Sequence, residues 1–117
     1  METAAIILAA GAGTRMKSKK PKVVHEVLGR PLVRWVVEAA KEAGADRVVT
    51  VVGHQRDQVI PLVEGDTEIV VQEAQRGTAN AVLAAADALA GFDGAVVVLS
   101  GDSPLIQPET IRQMAAL

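Results

Sequence analysis

Residues 4–16 decide the fold, and they read Ala-Ala-Ile-Ile-Leu-Ala-Ala-Gly-Ala-Gly-Thr-Arg-Met. The stretch from Ala4 to Ala9 has no polar residue, which is typical of a strand buried on both faces in a parallel sheet. Gly11 and Gly13 then let the backbone approach a ligand and turn its N–H groups inward as an anion nest. No Gly-Lys-Ser/Thr follows, and Met16 stands where a dinucleotide fingerprint needs its third glycine. The pattern therefore predicts a phosphate-binding loop, with a simple strand-to-helix turn as the alternative.

The same alternation of apolar runs and helical patterns continues to the end of the chain. Strands are predicted at 47–52, 68–72 and 95–100, and helices at 32–43, 55–63, 78–90 and 108–117. In the third helix, the predicted buried face consists of Ala79, Val82, Leu83, Ala86, Leu89 and Ala90. Strands alternating with helices imply parallel strands and right-handed crossovers. The expected fold class is α/β: a Rossmann-like, mainly parallel sheet flanked by helices.

Composition narrows the classes of function. The 117 residues suffice for one domain, and half of them are hydrophobic. Trp35 and Phe92 are the only aromatic residues, so stacking platforms for single-stranded nucleic acid are scarce. There is no cysteine, which excludes disulfides and zinc–thiolate sites and favours a cytoplasmic location. No apolar run reads as a signal peptide or a membrane span. Neither nucleic acid nor a membrane is expected as a partner.

Charge is unevenly distributed along the chain. The net charge is −2, yet residues 1–30 hold six Lys or Arg against two Glu. A basic segment in an acidic protein predicts a local anion site, with a solvated lysine-rich loop as the alternative. Arg15 and Lys22 are the candidate phosphate ligands, because Arg offers a planar fork and Lys a compact charge. The other three lysines of the segment are expected to be solvated.

Polar residues also follow the later strands, and parallel sheets bind ligands beyond the carboxyl ends of their strands. The Gln72 amide has donor and acceptor faces that could read a base edge. Gly77 and Thr78 open a helix, where Thr78 could instead be the N-cap. Asp102 follows Gly101 and could hold Mg²⁺, with an Asx turn as the alternative. His25 and His54 are interpreted as surface or structural residues.

These motifs, taken in order, resemble the signature of the sugar-1-phosphate nucleotidyltransferases, and in particular the bacterial N-acetylglucosamine-1-phosphate uridylyltransferases. The resemblance covers essentially the whole chain. It rests on residues 8–16 and on Lys17-Ser18, Pro21-Lys22-Val23, His25, Gly53-His54, Gln72-x-x-Gln75-x-Gly77-Thr78 and Gly101-Asp102-x-Pro104-Leu105. It implies that N-acetylglucosamine 1-phosphate attacks the α-phosphorus of UTP. The products would be UDP-N-acetylglucosamine, a peptidoglycan precursor, and pyrophosphate, and the reaction would need Mg²⁺.

The resemblance also implies roles for single residues. The backbone of Leu8, Ala10, Gly11 and Gly13 would lie against the nucleotide. Arg15 and Lys22 would face the phosphates as the catalytic cations. Gln72, Gly77 and Thr78 would read the uracil, and Asp102 would be a metal ligand. One departure is Ala12, where many relatives have lysine.

The larger departure is length, because the nucleotidyltransferase domain of this family continues well beyond 117 residues. We expect residues 1–117 to form the nucleotide-binding part of an incomplete domain, with little turnover alone. The later sugar-binding part and a β-helix acetyltransferase domain, through which the parent would form a homotrimer, would be absent. Two alternatives remain open at this point: a cytidylyltransferase of the same fold, and a non-catalytic nucleotide-binding module.

Overall fold

The computed structural model describes residues 2–9, 23, 26–53, 56–72, 78–101 and 107–115. Within these ranges the chain forms six strands and four helices. The strands are β1 (Glu2–Leu8), β2 (Glu26–Val27), β3 (Arg30–Pro31), β4 (Arg47–Val52), β5 (Glu68–Val71) and β6 (Gly94–Ser100). The helices are α1 (Leu32–Glu42), α2 (Arg56–Val63), α3 (Thr78–Ala88) and α4 (Pro108–Ala115). The predicted alternation of strands and helices is confirmed.

Four parallel strands form the central sheet in the order β5-β4-β1-β6. The chain moves outward from β1 to β4 and β5, then crosses back to place β6 on the other side of β1. The direction of winding therefore reverses between β1 and β6. Ligands of doubly wound sheets bind in the crevice at such a switch point, outside the carboxyl ends of the strands.

Two hydrophobic cores lie on opposite faces of the sheet because side chains alternate along each strand. Ala5, Ile7, Val48 and Val52 face the first core, which is closed by α1, α2 and Ile111 of α4. The second core packs α3 against strand residues of the opposite parity, namely Ala4, Ile6, Val49 and Val51. Helices therefore pack on both faces of the sheet, as the continuous apolar strands predict, but on the face of the second core Val96 and Val98 of β6 are 48% and 38% exposed.

The predicted buried face of α3 is partly wrong. Leu89, just beyond the helix, is buried, but Leu83 is 63% exposed. Ala81 and Ala85 are buried instead, one helical turn apart and continuous with Leu89. Nearly every position of this helix is apolar, so the sequence pattern carries little information about which face packs.

Helix α1 follows the sequence rules closely. Pro31 precedes it with φ −56°, as the last residue of β3 rather than in the first helical turn. Val33, Val36, Val37 and Ala40 recur at helical spacing and are completely buried. The helix ends before Gly44, whose φ of 92° is the left-handed conformation that closes helices.

A short hairpin of β2 and β3 was not predicted. Leu28 and Gly29 both have positive φ, 55° and 79°, as a two-residue hairpin turn requires. Trp35 holds the hairpin against α1, since its indole Nε1 donates to the carbonyl oxygens of Val27 at 3.0 Å and Arg30 at 3.2 Å. The Arg30 guanidinium lies 4.5 Å from the centre of the Trp35 ring. None of the helices in the described ranges is long and apolar enough to cross a membrane.

Candidate functional site

The carboxyl ends of the four central strands lie level with one another. In the register of the sheet, Leu8 of β1 pairs with Val51 of β4 and with Ser100 of β6. Val52 pairs with Val71, the last residue of β5. The segments that follow β1, β4, β5 and β6 therefore begin along one edge of the sheet. All the residues predicted to contact nucleotide or metal lie at this edge or in the segments that leave it.

Leu8 and Gly101 join the two strands at the switch point. The backbone N–H of Gly101 donates to the carbonyl oxygen of Leu8 at 3.0 Å, and the N–H of Ala9 donates to Val51 at 2.9 Å. Sheet bonds thus engage Leu8 O and Ala9 N–H.

Position 101 requires glycine because the backbone of Leu8 lies close to it. A Cβ built on it would lie 2.9 Å from Leu8 O and 3.2 Å from Cγ1 of Val23. The first distance is shorter than real Cβ atoms show, so any larger residue would force β6 away from β1. This close packing places Gly101, the chain neighbour of the candidate metal ligand Asp102, beside the end of β1.

Val23 anchors the second candidate segment at the same place. It is buried, with 6% of its surface exposed, and belongs to the core formed with α1, α2 and α4. Its chain neighbour is Lys22, the candidate phosphate ligand. Val23 thus lies against Gly101 at the switch point, whereas Lys22 and Asp102 themselves lie outside the described residues. Sequence reasoning assigned no separate role to Val23. The feature that could have indicated its burial is the pair of valines directly after Pro21-Lys22.

Gln72 is the candidate site residue that the structure describes most fully. Its backbone N–H donates to Val52 O at 2.7 Å, which extends the β4–β5 ladder by one residue. Its side chain is buried, yet Nε2 has no hydrogen-bond partner in the described part of the chain. An unpaired buried amide costs roughly 1–3 kcal/mol, so such a group suggests a missing acceptor such as a ligand oxygen.

The four helices orient their dipoles toward the same edge. Each helix follows a strand of the central sheet or the segment after it, so its N-terminus lies near the carboxyl ends of the strands. Helix N-termini carry partial positive charge and free N–H groups, which favour anions. Thr78 is the first residue of α3, so its backbone lies at this edge. The structure does not describe its side chain.

The remaining predicted site residues lie outside the described ranges: Ala10, Gly11, Gly13, Arg15, Lys22, Gly77 and Asp102. Both histidines, His25 and His54, also lie outside them. Their predicted roles stay predictions. Among the described residues, no group of three or more His, Asp or Glu side chains could hold a metal ion.

The shifted pKa values found in the described ranges belong to the opposite, amino edge of the sheet. The Arg34 guanidinium holds the pKa of Asp66 below its usual value, and Lys41 adds to this effect. Arg47 does the same for the pKa of Glu68 at the start of β5. These ion pairs stabilise the fold and involve none of the predicted site residues.

Comparison with known proteins agrees with this geometry. Residues 5–117 match the family model described as the MobA-like NTP transferase domain. The chain therefore belongs to the MobA-like NTP transferase family, a class of nucleotidyltransferase domains.

The resemblance read from the sequence is also confirmed at the level of particular relatives. The chain is similar to the bifunctional protein GlmU of Geobacter metallireducens, with 54% identity over 115 residues. The match covers 97% of this chain and 24% of that relative. The chain thus spans about a quarter of the length of the curated relatives it matches.

Solved structures confirm the Rossmann-like α/β fold. A nucleotidyl transferase from Methanothermobacter thermautotroptrophicus superposes with a TM-score of 0.86 at 24% identity, covering 98% of this chain and 57% of that chain. A Mycobacterium tuberculosis protein solved as a complex with manganese gives a TM-score of 0.79 at 24% identity, covering 97% of this chain and 57% of that one.

Proposed function

We propose that this chain is the nucleotide-binding part of a uridylyltransferase that forms UDP-N-acetylglucosamine and pyrophosphate from UTP and N-acetylglucosamine 1-phosphate. Membership of a nucleotidyltransferase family and 54% identity to a GlmU protein support the reaction class. The observation that carries the choice of nucleotide is Gln72, a buried amide at the carboxyl edge whose Nε2 has no hydrogen-bond partner among the described residues.

Gln72 suits a uracil base because its amide presents a donor and an acceptor side by side. Uracil offers carbonyl oxygens and an N–H on its edge, so the free Nε2 would donate to a carbonyl oxygen. Gln72 is two strands away from β1, which corresponds to roughly 10 Å at the usual strand spacing. A bound nucleotide would therefore run from a base at the end of β5 to phosphates at the switch point.

The phosphates would be held by the loop after β1 together with Arg15 and Lys22. In the reaction, an oxygen of the sugar phosphate forms a new bond to the α-phosphorus, and the bond from that phosphorus to the leaving pyrophosphate breaks. The attacking oxygen is already anionic, so no side chain has to remove a proton. The protein's task is to position the reactants and neutralise charge, which cationic side chains and backbone N–H groups do well.

Asp102 is proposed to hold a divalent cation, which we take to be Mg²⁺. A single carboxylate combined with substrate phosphates is a usual environment for Mg²⁺. The proposal is supported by Gly101, the residue before Asp102, whose N–H donates to Leu8 O at the end of β1. When bound, the ion would polarise the α-phosphate and clamp its oxygens. The manganese complex of the M. tuberculosis protein supports a divalent metal for this fold.

The sugar half of the site is proposed to come from residues outside this chain, since the chain spans about a quarter of its GlmU relatives. The homotrimer and the acetyltransferase activity would likewise belong to the whole protein. The same proposal includes a cytoplasmic location for the protein.

Thermal unfolding in the presence of ligands tests the proposal. With Mg²⁺ at saturating nucleotide, UTP should raise the Tm of the chain more than CTP, GTP or dTTP do, because ligands stabilise the state that binds them. Arg15→Ala should remove the UTP-dependent rise, whereas Lys17→Ala, a residue expected to be solvated, should keep it. A larger rise with CTP would support the cytidylyltransferase, and equal rises with all four would contradict base recognition at this edge.

A further inference from the structure

Arg47 stands at the amino edge of the sheet, where it touches the two elements that lead to the proposed base site. Its Nε and Nη2 donate to the two carboxylate oxygens of Glu68, at 2.8 and 2.6 Å. Its Nη2 also donates to the carbonyl oxygen of Ala88 at 3.1 Å. One guanidinium on β4 thus holds the first residue of β5 and the last residue of α3.

The opposite ends of these two elements carry the residues proposed to read the base. β5 runs from Glu68 to the residue before Gln72, and α3 runs from Thr78 to Ala88. The tethered ends and the base-reading ends are therefore joined by one short strand and one helix. A shift of either element along its axis at the Arg47 end would move Gln72 or Thr78 at the other.

The Arg47–Glu68 pair is one of several contacts that position β5. Among the described strands, β5 is an edge strand of four residues that pairs with β4, and none of the four is fully buried. Register is weakly specified where a strand has no strongly buried face. Besides the backbone ladder, the described contacts of β5 and its entry include the Arg47–Glu68 pair and a hydrogen bond of 3.0 Å between the hydroxyls of Thr50 and Thr67. Ile69 and Val70 also pack, partly buried, against the first and the second core.

Helix α3 packs on the sheet largely through small side chains. Its buried helical residues in the second core are Ala81 and Ala85, and Leu89, directly after Ala88, is buried in the same core. The bond from Arg47 to Ala88 O satisfies a carbonyl that the helix itself leaves unpaired and fixes the axial position of the helix.

We propose that Arg47 is a positioning residue for nucleotide recognition, which sets the placement of Gln72 and Thr78 by tying Glu68 and Ala88 to β4. The inference rests on the proposed function, because it concerns the base site assigned there. Arg47 touches no substrate and acts through β5 and α3.

Arg34 provides a matched control. Its guanidinium makes the same kinds of bonds, with Nη1 and Nη2 to the Asp66 carboxylate at 2.9 and 3.0 Å and Nη1 to Leu62 O at 3.2 Å, and it also contacts Glu38 at 3.4 Å. It joins α1 to the end of α2 and to the turn after it, neither of which carries a base-reading residue. A purely structural role for Arg47 predicts that Arg47→Met and Arg34→Met behave alike.

The test compares the two variants by calorimetric titration with UTP and CTP in the presence of Mg²⁺. Arg47→Met should weaken UTP binding roughly 3- to 20-fold and reduce the preference for UTP over CTP, as couplings of this kind do. Arg34→Met should change UTP binding by less than about twofold, the effect expected of a site with no coupling. Arg47→Lys, which keeps the charge but loses the fork, should fall between wild type and Arg47→Met.

A ligand-free measurement separates this inference from the proposed function. Amide hydrogen exchange reports on the bond from Gln72 N–H to Val52 O, with Ile6 in the centre of the sheet as internal reference. Arg47→Met should lower protection at Gln72 by roughly tenfold without changing Ile6, because the strand end opens locally. Arg34→Met should leave Gln72 unchanged.

Wild-type binding that does not distinguish UTP from CTP would contradict the proposed function, and the exchange experiment would still decide the role of Arg47. Unchanged protection at Gln72 in Arg47→Met, or equal loss in both variants at both Gln72 and Ile6, would overturn the inference.

Discussion

The backbone N–H of Gly101 donates to the carbonyl oxygen of Leu8 at 3.0 Å and thereby closes the sheet at the point where its winding reverses. Leu8 precedes the glycine loop that is proposed to hold the phosphates, and Gly101 precedes the aspartate that is proposed to hold the metal. One sheet hydrogen bond thus brings together two segments that are about 90 positions apart in the sequence.

Gly101→Ala should separate these segments. The added Cβ would approach Leu8 O to 2.9 Å and Val23 Cγ1 to 3.2 Å, and backbone cannot yield as a flexible side chain does. We expect a loss of about 1–3 kcal/mol in the free energy of unfolding, as for other overpacked sites, and weaker binding of Mg²⁺–UTP. Denaturant titration and calorimetry measure the two effects.

Gly65→Ala is the control for that substitution, because a Cβ at Gly65 meets nothing within 4 Å. It should leave both the stability and the binding close to wild type. Full Mg²⁺–UTP affinity in Gly101→Ala would contradict the role given to the switch point.

Gln72→Leu should affect stability and binding in opposite directions. Leucine removes a buried amide whose Nε2 has no partner in the described structure, so the free energy of unfolding should stay equal or rise by about 1 kcal/mol. UTP binding should be lost, because the group that would meet the base is gone. Gln58→Leu, on the exposed side of α2, is the control and should leave UTP binding intact. A destabilised Gln72→Leu that still binds UTP would mean that the amide serves the fold.

Asp66→Asn should make stability less dependent on pH. Arg34 lowers the pKa of Asp66 in the folded protein, so the unfolded chain binds more protons as the pH falls. The contribution of the ionised carboxylate is complete above the unfolded pKa of about 3.9 and is lost as the pH falls from there through the lower folded value. At neutral pH the variant should lose roughly 0.5–1 kcal/mol, since the pair is partly exposed.

Denaturant titration at several pH values measures this difference. The gap between wild type and Asp66→Asn should close on acidification, whereas the exposed neighbour Glu64→Gln should show a smaller gap throughout. A gap that widens in acid would contradict the assigned direction of the pKa shift.

Trp35→Phe should loosen the β2–β3 hairpin. Phenylalanine keeps a ring beneath Arg30 but removes the indole N–H that donates to the carbonyls of Val27 and Arg30. A loss of about 1 kcal/mol is expected, with faster amide exchange confined to residues 26–31. Arg30→Met removes the cation above the ring and leaves both hydrogen bonds, so its effect should be smaller. A larger loss of stability in Arg30→Met than in Trp35→Phe would show that the contact between the cation and the ring stabilises the hairpin more than the two hydrogen bonds do.

Sequence alone predicted most of the architecture because each parallel strand here is a short apolar run closed by glycine or a polar residue. Arg47–Val52 was placed with its observed bounds, and the helix predicted at 32–43 matches α1 to within one residue. The hairpin at 26–31 was missed because two-residue strands carry no periodicity. The face of α3 was misplaced because an alanine-rich helix has no polar side to mark it.

The candidate site was only partly accessible to sequence reasoning, for a physical reason. The sequence indicates which chemistry follows each strand, and the parallel order brings those positions to one edge. It does not indicate that Val23 packs against Gly101, that Gln72 Nε2 is left unpaired, or that Arg47 joins β4 to both β5 and α3, since these are long-range contacts of ordinary residues.

The most direct measurement is calorimetric titration of the chain with UTP and with CTP, each with Mg²⁺, in wild type and Gln72→Leu. The account predicts that wild type binds UTP more tightly than CTP and that Gln72→Leu loses this preference while remaining folded. Equal affinity of wild type for both nucleotides, or a UTP preference that survives in folded Gln72→Leu, would contradict the claim that this edge of the sheet recognises uracil through Gln72.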